Sequence, residues 1–174
     1  GMRVLTVDKG LALVHGSFAA LVFSLMAVVA LVTSRSWKDA EFEQNTGDCS
    51  VSHLRPLAIM IPFVIFGQYV LGGLLRHLGR SLHEHIAVAI LVLLFVSAAA
   101  FITHRAGVSW LKRPAYLLLG IVIVQIFLGM LAFTTKYGFA PSGYVAVQGS
   151  IPQTISRTVH TIVGMLVLMT SVIY

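Results

Sequence analysis

The residues of this sequence best able to hold a metal are 7 histidines and a single cysteine, Cys49. His15, His85 and His160 stand near the heads of long apolar stretches, and each precedes a small residue by four positions: Ala19, Ala89 and Gly164. Positions i and i+4 share a helix face, so each pair offers an imidazole with an open step one turn deeper. A flat macrocycle standing edge-in between helices and ligated axially needs that arrangement. Neutral imidazole in an apolar site is a usual ligand of haem iron. A lone histidine at a membrane boundary is commonly interfacial, but recurrence at equivalent positions favours function, because intramembrane ionisable groups are costly. His85 and His160 are the expected iron ligands. His83 is the alternative to His85; two residues turn a helix by roughly 200°, so only one of them can face inward. His85 is preferred because it lies deeper and is followed by Ala89. His53, His77 and His104 fall in loops or at helix ends. Zinc would want three or four converging ligands, commonly in HxxxH or CxxC spacing, and neither spacing occurs.

A haem carries two propionates that need cations or hydrogen bonds at the polar margin. Arg76, ending the second apolar stretch, and Arg157, on the face of His160, are the candidates for propionate contact. Arg80 reads as a membrane-end anchor. Gln68 and Gln125 lie mid-helix, where an amide must find an interhelical hydrogen bond. Gly72, Gly73 and Gly129 permit close approach of a neighbour or a ring.

The elements that must position these residues follow from composition. Apolar residues make up 57% of the 174, charged residues 10%, and the mean hydropathy is +0.91. About a quarter of a soluble domain is charged, so an ordinary cytosolic enzyme, a disordered tail and a disulfide scaffold are excluded. Five runs, at about 14–33, 56–75, 85–103, 114–134 and 158–174, approach or exceed the roughly 20 apolar residues that span a bilayer. The fold class is therefore an all-α, multi-pass integral membrane protein, as in a bacterial cytoplasmic membrane or its equivalent. The first run lacks the charged leader and cleavage site of a secretory signal and reads as a retained helix. The excess of 12 Lys and Arg over 6 Asp and Glu lies at the ends of apolar runs, which points to membrane and lipid headgroups and away from nucleic acid.

Two segments share one design. Arg55-Pro56 opens a helix reaching Gln68-Tyr-Val-Leu-Gly72, and Arg113-Pro114 opens one reaching Gln125-Ile-Phe-Leu-Gly129. Each then leads through a loop to a helix headed by His85 or His160. The expectation is a four-helix transmembrane bundle over 56–174 with a pseudo-two-fold hairpin repeat, plus one extra N-terminal transmembrane helix. Residues 1–33 would be the last helix of an N-terminal half and 34–55 a polar linker. Pro56 and Pro114 suit a first helical turn, Pro62 should kink its helix, and 135–157 reads as a surface loop over a site. Lys and Arg split evenly between the two membrane sides. If Arg76 and Arg157 serve a ligand, the side of 34–55 is cytoplasmic and the histidine ends face outward.

This constellation resembles the haem A synthase family, which has two homologous four-helix halves with Gln-x-x-Leu-Gly-x-Leu elements and helices opening with histidine. The matching residues are Gln68 to Leu74 with Arg76, His85-Ile-Ala-Val-Ala89, Gln125 to Leu131, His160, and His15-Gly-Ser-Phe-Ala19. The resemblance covers helices four to eight of such a protein, so the chain would be a C-terminal part. It implies a b-type haem between His85 and His160 as electron-transfer cofactor. It further implies that His15 is one ligand of the substrate, haem O, in the other half, where the ring methyl is oxidised to the formyl group of haem A for cytochrome oxidase. The family's catalytic glutamate has no counterpart here, and the outer-loop cysteine pairs are missing. Haem O synthase or a second copy are the partners implied, with the electron donor open. A non-enzymatic bis-histidine b-type cytochrome taking electrons from quinol is the alternative.

Overall fold

The computed structural model describes residues 8–34, 49–107 and 109–174. Five long helices carry the fold: α1 (Lys9–Thr33), α2 (Cys49–Leu78), α3 (Leu82–Arg105), α4 (Ser109–Tyr137) and α5 (Ile151–Ile173). All five are long and apolar enough to cross a membrane. Asp8 starts α1, its Oδ1 accepting from the Gly10 and Leu11 amides at 2.6 and 3.2 Å and thereby satisfying two N–H groups without helical partners.

All five helices start before their expected apolar runs, α1 at Lys9 and α3 at Leu82 among them. α2 begins at Cys49, α4 at Ser109 and α5 at Ile151, so Pro56 and Pro114 lie inside their helices and His160 lies well into α5 instead of opening it. Hydropathy finds the apolar middle of a span, whereas a helix keeps propagating through polar turns at one added hydrogen bond per residue. For the same reason the surface loop shrinks to 138–150, and the 34–55 linker loses its last residues to α2. Residues 35–48 of that linker, with Arg35 and Lys38, lie outside the described residues, as do residues 1–7. α2 also runs on through Pro62 as one helix.

The turn from α2 to α3 takes only residues 79–81, with Gly79 and Ser81 in the left-handed region at φ +69° and 67°. Such short turns force α2 and α3 to run antiparallel as neighbours. α3 packs on α4, α4 on α5 and α5 on α2, closing a ring; α1 lies against α2 and α5. Ile61, Ile65, Val96, Leu118 and Leu168 fill the centre. Phe18, Phe63, Leu94 and Phe127 point outward, as in a helix whose solvent is lipid.

A polar clamp fixes the α4–α5 loop. Gln153, 3% exposed, accepts from the Gly149 amide at 2.9 Å and donates to Gln148 Oε1 and the Thr135 carbonyl at 3.1 and 3.3 Å. Thr135 and Ser156 share a 2.7 Å hydroxyl hydrogen bond beneath it. At the opposite end, Thr103 meets the Tyr174 hydroxyl at 2.8 Å, which ties α3 to the end of α5.

Candidate functional site

His85, in the first turn of α3, and His160, midway along α5, face each other across the helix ring. Their ring centres are 6.3 Å apart and their planes cross at 87°. His83 is exposed, so of the two neighbours it is His85 that turns toward α5. Each histidine is held by the same pair of residues from the helix beside it. Gln68 on α2 donates its amide to the His85 carbonyl at 2.8 Å, and Gln125 on α4 donates to the His160 carbonyl at 2.9 Å. One turn on, Gly72 and Gly129 provide the space in which the rings lie. A Cβ at either glycine would stand 3.1 Å from the neighbouring imidazole Cε1, nearer than ordinary carbon contacts.

The rings carry unused polar atoms. His85 Nδ1, His160 Nδ1, Gln68 Oε1 and Gln125 Oε1 are buried with no hydrogen-bond partner among the described residues. Leaving such groups unpaired is expensive, and clusters of them mark places where a fold serves something other than its own stability.

The separation itself tests what the pair can hold. An ion bound by one nitrogen of each imidazole at about 2.0 Å, in rings whose atoms lie about 1.1 Å from the centre given sides of about 1.33 Å, needs centres about 6.3 Å apart. The observed spacing matches. An edge-to-face aromatic pair also occurs at such distances. No group of three or more His, Cys, Asp or Glu converges among the described residues, so a closed zinc site is not available. Haem iron, whose equatorial ligands come from the porphyrin, asks the protein for two axial ligands only. The residues present fit that group.

Cations gather at the same end. Arg76 Nη1 donates to the Thr161 hydroxyl at 2.5 Å, Thr161 donates to the Arg157 carbonyl at 2.8 Å, and Arg157 Nη2 donates to the Arg76 carbonyl at 3.3 Å. Arg76 is exposed and Arg157 half-buried, so two guanidiniums from α2 and α5 are tied together one turn from His160. The sequence singled out both arginines; it missed Thr161, whose only signal is a hydroxyl next to a candidate ligand. Arg80 is exposed in the α2–α3 turn.

Other expectations meet a different geometry. The step beneath His160 is not open: a Cβ at Gly164 would lie 3.0 Å from Gln125 Nε2 and 3.7 Å from Tyr69 Cδ2, so the small residue admits protein side chains. The room for the rings comes from glycines on the facing helices. Gly73 serves α1, since a Cβ there would strike the Leu13 side chain. His15 is exposed on α1, and no ring contact joins it to His85 or His160 among the described residues. His104 hydrogen-bonds the Tyr116 hydroxyl at 2.7 Å, at the far ends of α3 and α4. The side chain of His53 lies outside the described residues.

No protein-family model, curated protein or solved structure matches this chain.

Proposed function

We propose that this protein is the electron-transfer half of a haem A synthase-type oxidoreductase, a membrane enzyme that oxidises the ring methyl of haem O to the formyl group of haem A. The observation that carries the reading is the facing pair His85 and His160, whose ring centres lie as far apart as two imidazoles on one ion would need and whose Nδ1 atoms are buried without a partner among the described residues. A b-type haem bound there supplies one-electron transfer at low cost in reorganisation. His85 and His160 would hold its iron, and Arg76 and Arg157 would attract its carboxylates through charge-assisted hydrogen bonds.

The reading includes a four-helix bundle over 56–174 with pseudo-two-fold symmetry and α1 belonging to a partner half. It is supported by the repeated set of contacts, Gln68 and Gly72 on His85 matched by Gln125 and Gly129 on His160. In that arrangement the histidine ends face outward, and His15 serves the substrate haem with ligands from outside the described helices. Haem O synthase or a second copy of the chain would be neighbours in the membrane.

The same paired imidazoles would also serve a b-type cytochrome that passes electrons from quinol without a substrate. Two measurements decide. Hemin added to the purified protein should give a low-spin bis-histidine spectrum that His85→Ala or His160→Ala abolishes and His83→Ala keeps; an unchanged spectrum in the first two variants overturns both readings. Haem extraction and mass analysis of a host expressing the complete gene should show a formyl-bearing haem. Its absence, with the spectrum intact, leaves the cytochrome.

A further inference from the structure

We infer that the groove between α4 and α5, on the side of the α3–α4 turn, binds an anionic phospholipid, with its chain along the groove and its headgroup on Lys112 and Arg113. The groove has a volume of about 370 Å³, and Tyr116, Leu117, Gly120, Val124, Val163 and Leu166 line it. From Tyr116 to Val124 is about 12 Å at 1.5 Å per residue, and half of a hydrocarbon core of about 30 Å is about 15 Å. The groove therefore runs through most of one leaflet. Its floor is Gly120, where an added Cβ would meet nothing within 4 Å. Inside a helix glycine is less favourable than alanine. At Gly72, Gly73, Gly129 and Gly164 the missing side chain makes room for another part of the protein, whereas at Gly120 the room opens on the groove.

The residues at the groove's outer end decide its occupant. On α4 the stripe that lines the groove continues at four-residue steps from Val124 through Gly120 and Tyr116 to Lys112, and from Leu117 to Arg113. Lys112 is half-buried and Arg113 exposed, and neither side chain has a hydrogen bond or ion pair among the described residues. Arg105, at the end of α3, adds a third cation, its guanidinium carbon 5.3 Å from the Phe101 ring centre. The side-chain carboxylates among the described residues, Asp8 and Glu84, stand at the heads of α1 and α3, on the opposite margin. Tyr116, between the cations and the apolar floor, shares a 2.7 Å hydrogen bond with His104 Nδ1 that fixes the wall of the groove. A basic margin over an apolar groove selects a ligand with an anionic head and a hydrocarbon chain. A neutral phospholipid lacks the charge, and free phosphate lacks the chain. His85 and His160 lie toward the other margin and take no part.

The test is native mass spectrometry of the full chain, released from detergent with phosphatidylglycerol or with phosphatidylcholine of matched chains. Wild type should hold phosphatidylglycerol the more tightly, and inorganic phosphate should not displace it. A Lys or Arg near an anionic surface is worth roughly fivefold in affinity, so Lys112→Gln with Arg113→Gln should lower phosphatidylglycerol binding by about 25-fold and leave phosphatidylcholine binding unchanged. Gly120→Leu, which fills the floor with a good helix former, should weaken both lipids, and Arg80→Gln, on the opposite margin, should change neither. Phosphatidylglycerol carrying a photoreactive diazirine in its chain should label the wild-type protein within 116–124 or 163–166. Equal binding of the two lipids by wild type overturns the inference, as does a charge preference that survives the double variant, displacement by phosphate, or wild-type binding by Gly120→Leu. A dimer that Gly120→Leu converts to monomer also overturns it and assigns the groove to a second copy. If a variant fails to fold, labelling of the wild-type chain elsewhere overturns the inference by itself.

Discussion

Replacing Gly129 or Gly72 by alanine adds one methyl group at the place where the structure leaves room for an imidazole. The new Cβ would sit 3.1 Å from the Cε1 of His160 or His85. Carbon atoms rest at about 3.5–4.0 Å, so the ring must withdraw by roughly 0.4–0.9 Å. A metal-binding constellation tolerates displacements of about 0.5 Å. The stability terms partly offset: alanine gains up to about 1 kcal/mol of helix propensity over glycine, and overpacking costs about 1–3 kcal/mol, a net loss of about 0–2 kcal/mol. The expected result is a small change in thermal unfolding with a fall of about tenfold in hemin affinity, or roughly 1.4 kcal/mol. Hemin titration followed at the Soret band, beside unfolding followed by circular dichroism, measures both. Gly67 and Gly120 supply controls on the same two helices, because a Cβ at either meets nothing within 4 Å. Alanine there should leave hemin affinity at the wild-type value. If all four alanine variants bind hemin alike, the glycines are not there for the rings.

Two further outcomes follow from the polar contacts. Arg157→Gln and Arg76→Gln should each weaken hemin severalfold, less than a buried ion pair would, because Arg76 is exposed and solvent screens it. Haem dimethyl ester, which has no carboxylates, should bind wild type and variants equally; a loss with the ester as large as with hemin would mean that the arginines only shape the fold. Gln153→Ala removes a buried amide that joins the α4–α5 loop to both helices, so it should destabilise the protein by about 1–3 kcal/mol and speed proteolysis within 138–150. Unchanged cleavage there would show that the loop is held by other contacts.

Much of this was legible in the sequence because two periodicities carried it. Long apolar runs dictate membrane helices, and short polar breaks dictate that consecutive helices run antiparallel, which brings His85, His160, Arg76 and Arg157 to one side. The paired Gln and Gly elements were visible as a recurrence. Helix ends were not, because hydropathy decays before hydrogen bonding does, and Pro56, Pro114 and His160 accordingly lie deeper in their helices than their positions suggest.

Residue types and spacing thus determined the solvent, the class of fold and the short list of residues with chemistry. Only the tertiary structure decided which surfaces meet. It turned His85 and not His83 toward His160, filled the step at Gly164 with Gln125 and Tyr69, and gave the task of making room to Gly72 and Gly129 across the helix interface. The physical reason is that periodicity fixes the face on which a residue lies within its own helix, whereas the rotation of one helix against another is set by the side chains that interlock between them.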